Sequence, residues 1–290
     1  MTRLIFSVFV CLLLLSPVAQ AQERYSPSLK LDEPYGSVSD TANAVARKLS
    51  AAGYRGLGFV DINPDLRIMA FYKPAWLQDW AMSSPTALFG TVIQIGVIKQ
   101  GRRSIVSLAN PMWRSHLYHM NITQAQAITA DLTQLLGQGV PYGMKQGYEP
   151  VRIADLRVTP LAYGVEDLYT VAKHPSHASA VTAVEASLKK YHTQVKRLYK
   201  LHLPQQGTTL YGLVPQGHDD LLTKLWEEQP IKPAAHAAYT LLVQADGRIQ
   251  AHHPQFVLPA RYPDMSILSL SHHLDGIYAP VKKLLKRVAR

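Results

Sequence analysis

Apolar side chains recur at helical spacing over Ala42, Val45, Leu49 and Ala52, which predicts an amphipathic helix. Roughly 140 residues later the same spacing returns in Val181, Val184, Leu188 and Tyr191. Behind the first helix come Leu57, Val60 and Ile62, then the apolar run from Ile68 to Pro74. Behind the second come Leu198, Leu201 and Leu203, then Thr209 to Pro215. A short helix with Leu77 and Trp80 ends before Pro85, and one with Leu222 and Leu225 ends before Pro230. Val92 to Ile98 reads as a strand turning at Gly101-Arg102; Tyr239 to Gln244 reads as its counterpart, turning at Gly247-Arg248. The hairpins run into Asn110-Pro111 and His253-Pro254, and closing helices follow at Ile122 to Leu136 and roughly Ser269 to Val288.

Matching prolines and turn glycines at a nearly constant offset point to a tandem duplication. Each half is expected to be α+β, an antiparallel sheet with helices packed on one face. A leading strand is expected near Tyr35 to Val38 in the first half and near Glu166 to Ala172 in the second. The expected organisation is a leader at 1–21, a first repeat at 22–137, a linker at 138–163 and a second repeat at 164–290. Each repeat has roughly 130 residues, enough to bury a core of its own.

The leader changes how the composition reads. Arg3 precedes an apolar run from Leu4 to Leu15, Pro17 breaks it, and Ala19-Gln20-Ala21 offers small residues to a signal peptidase. The run has about 12 residues where a spanning helix needs about 20, so cleavage between Ala21 and Gln22 is expected. The single cysteine, Cys11, leaves with the leader, which removes thiol catalysis, disulfides and thiolate metal sites from the mature chain. Hydrophobic residues make up 47% of the chain, which excludes a disordered protein. The expected location is the periplasm or the exterior.

The pattern resembles a bacterial family, the domain of unknown function 302. That family shows a helix, a Gly-hydrophobic strand, a strand ending near a proline, a second helix ending on a proline, and a hairpin closing on Asn-Pro. Here these are Thr41 to Tyr54, Phe59 to Pro74, Leu77 to Pro85 and Val92 to Pro111. The resemblance covers roughly residues 35–112 closely and 165–256 loosely. It implies a TATA-binding-protein-like α/β sandwich and brings no reaction and no catalytic residues. The chain departs from the family in its duplication, its diverged second copy and its long closing helices.

Candidate chemistry concentrates where the hairpins close. Met112 to Met120 is the densest cluster, and His116 and His119 stand one helical turn apart, so a helix would present both to one metal. With the thioethers of Met112 and Met120 the set would suit copper. The bland alternative is aromatic and methionine packing. The matching place in the second half holds His252, His253 and Phe256, and strand alternation sends the two histidines to opposite faces. A cleft lined by Asn110, Trp113, Tyr118, His252, His253 and Phe256 would take a small anion or an apolar molecule. His272 and His273, with Asp275 nearby, read as structural, and Asp219-Asp220 and Glu227-Glu228 read as the solvated side of a helix.

No Gly-x-Ser-x-Gly, His-Glu-x-x-His, phosphate loop or dinucleotide fingerprint occurs, so no enzyme is expected. The formal charge of +10 gathers on Lys189-Lys190, Lys196-Arg197, Lys200 and the terminal Lys282, Lys283, Lys286, Arg287 and Arg290. A basic helix with Val281, Leu284, Leu285 and Val288 on one side suits an anionic membrane surface or envelope partner. Secretion argues against nucleic acid. The leading expectation is therefore a non-enzymatic binding protein with a cleft between duplicated domains and no cofactor; copper handling and envelope association are the alternatives.

Overall fold

The computed structural model describes residues 23–31, 36–84, 86–157, 163–216, 234–264 and 279–290. The expected leader, Tyr35, Pro85, the expected acidic helix with Asp219-Asp220 and Glu227-Glu228, and His272, His273 and Asp275 lie outside them. The first half runs β1 (Ser28–Lys30), α1 (Val38–Ala51), β2 (Arg55–Asn63), β3 (Leu66–Tyr72), α2 (Pro74–Met82), β4 (Ile93–Gln100), β5 (Arg103–Ala109), α3 (Pro111–Leu117) and α4 (Ile122–Leu136). β6 (Val140–Tyr142) and α5 (Pro150–Ala154) follow. The second half runs β7 (Leu168–Lys173), α6 (His177–Lys190), β8 (Val195–Leu203), β9 (Thr208–Pro215), β10 (Tyr239–Val243), β11 (Arg248–His252) and α7 (Pro254–Arg261), and residues 279–288 form α8.

The fold is α+β with two antiparallel sheets. Their orders are β2-β3-β4-β5-β1-β6 and β8-β9-β10-β11-β7, so the second repeats the first five strands of the first. Local signals set the elements. Ser37 caps α1 by accepting from the Asp40 amide, and Val38, Ala42, Val45 and Leu49 form its buried stripe. Asn121 caps α4 through the Gln124 amide, and Gly137 at φ 96° releases the chain after Leu136, so this helix has the limits its periodicity predicts. Burial of Ile128 and Leu132 along it contributes roughly 1.5–3 kcal/mol each.

Two expectations need correction. The leading strand of the first half is β1, paired to β5 with Ser28 opposite Ala109, and not Tyr35 to Val38. Val38 opens α1 because the Ser37 hydroxyl captures the helix start. The stretch from Gln138 to Tyr163 is also more than a connection. Within it, β6 adds to the sheet edge beside β1, and α5 buries Ile153 completely.

Alternation along β3 builds the layers. Met69 and Phe71 enter a core with α1 and α4, whereas Leu66, Ile68 and Ala70 enter one shared with the second half. That shared core also holds Ala180 and Val184 of α6, Leu210 and Leu213 of β9, and Leu285 and Val288 of α8. The halves therefore do not keep separate cores. The two sheets stay distinct, yet β2 crosses β8 so closely that a Cβ on Gly58 would stand 2.3 Å from the Leu198 carbonyl oxygen. No helix among the described residues is long and apolar enough to cross a membrane.

One ion pair ties α4 to the sheet. Asp131 accepts from Lys73 Nζ and from the Tyr54 hydroxyl, each at 2.7 Å, and Lys73 also lies over the Trp76 ring at 4.1 Å. Burial alone would raise the Asp131 carboxyl, but the Lys73 and Tyr54 hydrogen bonds outweigh it and hold the group below its usual range. A carboxyl depressed in the folded state stabilises above its unfolded value, about 4, and that contribution is lost as pH falls through the folded value. Asp131→Asn is expected to cost about 1–2 kcal/mol at pH 7 by urea denaturation and to flatten the acid limb below about pH 4.

Candidate functional site

Two short helices, one per half, are built the same way and meet. Each follows the last strand of a hairpin and opens on a capping side chain and proline. Asn110 accepts from the Met112 amide at 3.0 Å to start α3, and His253 Nδ1 accepts from the Gln255 amide at 3.3 Å to start α7. Trp113 and Leu117 of α3 then pack with Phe256 and Ala260 of α7 in one cluster, completed by Met144, Ile153, Leu156 and Val165.

A cavity of about 50 Å³ lies at this meeting point. Trp113, Tyr118, His252 and Phe256 line it, together with Phe89 and Tyr239. His252 is ringed by Phe89 at 4.0 Å, Phe256 at 4.8 Å and Tyr118 at 5.7 Å between ring centroids. Its Nε2 donates to the Val165 carbonyl at 3.0 Å, and burial pushes its pKa down to about 3, so the ring is neutral.

The remaining expected residues sit differently. Asn110 is buried with both ends of its amide engaged, since Nδ2 donates to the Ser26 carbonyl at 2.8 Å. His253 leaves the strand as the cap of α7, stacks on Tyr163 at 3.8 Å, and is pushed down to about 4 by burial and by Lys282, against the pull of Asp167. The copper set does not assemble. α3 ends at Leu117, and His119 takes the left-handed φ of 53°, so the helical turn that would align the two histidines is broken. His116 turns to the Tyr25 ring at 5.3 Å, while His119 Nε2 bonds the Ala154 carbonyl at 3.1 Å. Met112 and Met120 are buried in the core beneath α1 and α4. Among the described residues no group of three or more His, Cys, Asp or Glu side chains could hold a metal ion.

The structure adds residues that sequence reasoning passed over. Arg114 and Arg261 line the cavity, and each is more than nine-tenths buried. Arg114 Nη2 donates to the Phe89 carbonyl and Arg261 Nη2 to the Ala238 carbonyl, both at 2.6 Å. Their planes lie over Tyr118 at 5.5 Å and Tyr239 at 4.2 Å. His236 is a third addition. Its Nε2 donates to the Pro27 carbonyl at 2.8 Å, and its pKa falls to about 3 through burial, then Arg114, against the Pro27 bond, with Arg261 adding to the fall. The one available signal was the position of Arg114 within the densest cluster of the first half.

No protein-family model and no curated protein matches the sequence. A solved structure that the chain resembles is the uncharacterized conserved protein DUF302 from Bacillus stearothermophilus. The likeness has 11% identity and a TM-score of 0.31, and covers 37% of this chain and 91% of that one. No residue role follows from it.

The basic terminal helix reaches the cavity through Leu285. In α8, Val281, Leu285 and Val288 are buried while Lys283, Lys286 and Arg290 are exposed, so its apolar side belongs to the core.

Proposed function

We propose that this chain is a secreted or periplasmic binding protein without enzymatic activity. It would be built from two copies of one α+β unit, the second diverged, and exported by a leader cleaved after Ala21. Its small ligand sits in the cavity between the copies. The observation that carries this reading is the convergence of α3 and α7, which brings Trp113, Tyr118, His252 and Phe256 from opposite halves to one buried space. Aromatic walls with a few fixed polar groups are the usual make-up of a small-molecule site. The second sheet repeats the order of the first five strands of the first, which supports the duplication. Native mass spectrometry of the protein purified from its own cells should show a small retained mass that collisional activation releases. Bare protein in every charge state would contradict the reading.

The exposed Lys283, Lys286 and Arg290 support a second role, electrostatic contact with an anionic envelope surface. The buried Val281, Leu285 and Val288 leave no apolar stripe for insertion, so binding would be lost at high salt. Sedimentation with anionic liposomes at low and high salt checks it: pelleting at low salt alone is expected, and no pelleting would remove this role.

A further inference from the structure

Two guanidinium groups, one from each half, are buried at the same cavity, with no carboxylate beside them among the described residues. Arg114 comes from α3 and Arg261 from α7, and both act electrostatically on His236 and on Tyr199. No acidic side chain among the described residues lines the cavity. Among the described residues, Arg114 Nε, Arg261 Nη1 and the Trp113 indole N–H have no hydrogen-bond partner. A buried charge without a counter-charge is costly, and two of like sign are more so. The carbonyls of Phe89 and Ala238 each satisfy one Nη2 and carry no charge. His236 and His252 give their Nε2 protons to backbone carbonyls, so they neither add to the charge nor offset it.

We infer that the cavity between Arg114 and Arg261 binds a small oxyanion, a carboxylate or phosphate that supplies the missing negative charge. This deepens the proposed binding function and rests on it. Guanidinium forks match planar carboxylate or phosphate oxygens. Size sharpens the class. A volume of about 50 Å³ holds roughly three to five water-sized units, which fits acetate or phosphate and is too small to enclose a nucleotide or sugar. Because each half contributes one arginine, the anion also bridges the two halves.

The test is isothermal titration calorimetry of the mature chain in a buffer of large ions, with acetate, phosphate and the uncharged isostere acetamide as probes. Saturable one-to-one binding is expected for acetate or phosphate and none for acetamide. Arg114→Met and Arg261→Met should each weaken Kd about tenfold or more, since a hydrogen bond to a charged group is lost. If circular dichroism shows either variant misfolded, Arg114→Lys and Arg261→Lys replace them; these keep the charge, lose the fork and should still weaken binding. Equal behaviour of acetate and acetamide, or unchanged affinity in folded variants, would overturn the oxyanion assignment. A retained neutral mass in the native spectrum, with no response to either anion, would sink this inference and leave the binding function standing. Bare protein together with no anion response would sink both.

Discussion

Between pH 7 and pH 5 the protein is expected to lose roughly 4 kcal/mol of stability, about 2 kcal/mol from each of two buried histidines. His236 and His252 are both held near 3, against an ordinary value of 6.5. For these groups the folded pKa lies below the unfolded one. Below 6.5 the unfolded chain takes up protons that the folded chain refuses, so stability is full above 6.5 and drains as pH falls towards 3. Burial dominates both shifts, and Arg114 and Arg261 add to that of His236. Urea midpoints at the two pH values measure the loss, and His252→Gln should remove about half of the pH slope. Equal midpoints at pH 7 and pH 5 would show that these rings are not buried and neutral.

Gly58→Ala is expected to cost about 2–6 kcal/mol, from overpacking and backbone strain together. The added methyl would meet the backbone oxygen of Leu198 at 2.3 Å, and the φ of 155° is one that side chains rarely adopt. Neither neighbour is a flexible side chain that could swing away, so β2 would have to lift from β8. Gly101→Ala is the control. That glycine also has positive φ, at 62°, but nothing lies within 4 Å of its added carbon, so only about 1 kcal/mol of strain is expected. Chemical denaturation of the two variants compares them directly. Equal costs would mean that the sheets do not meet at Gly58.

Much of the fold was legible because its signals are local. Asn121 and Gly137 bracket α4, the positive-φ glycines at 101 and 247 turn the hairpins, and proline follows each hairpin. The leading strand was misplaced because Val38 fits a strand pattern as well as a helix start, and only the Ser37 cap decides between them. The aromatic half of the site was readable from matching clusters after the two hairpins. Its charged half was not. An arginine in a sequence reads as solvent-facing, and Arg114 and Arg261 are buried only because α3 and α7 close over them from opposite halves. The histidine pair failed for the converse reason. His116 and His119 have helical spacing, but a seven-residue helix ends between them, and spacing alone does not announce where it stops.

The most direct measurement is an anomalous difference map from crystals of the protein grown with selenate, a tetrahedral oxyanion with a strong scattering edge. The predicted result is one peak in the cavity, within hydrogen-bonding distance of both the Arg114 and the Arg261 guanidinium. A cavity without anomalous density, in crystals that show selenate elsewhere, would contradict it.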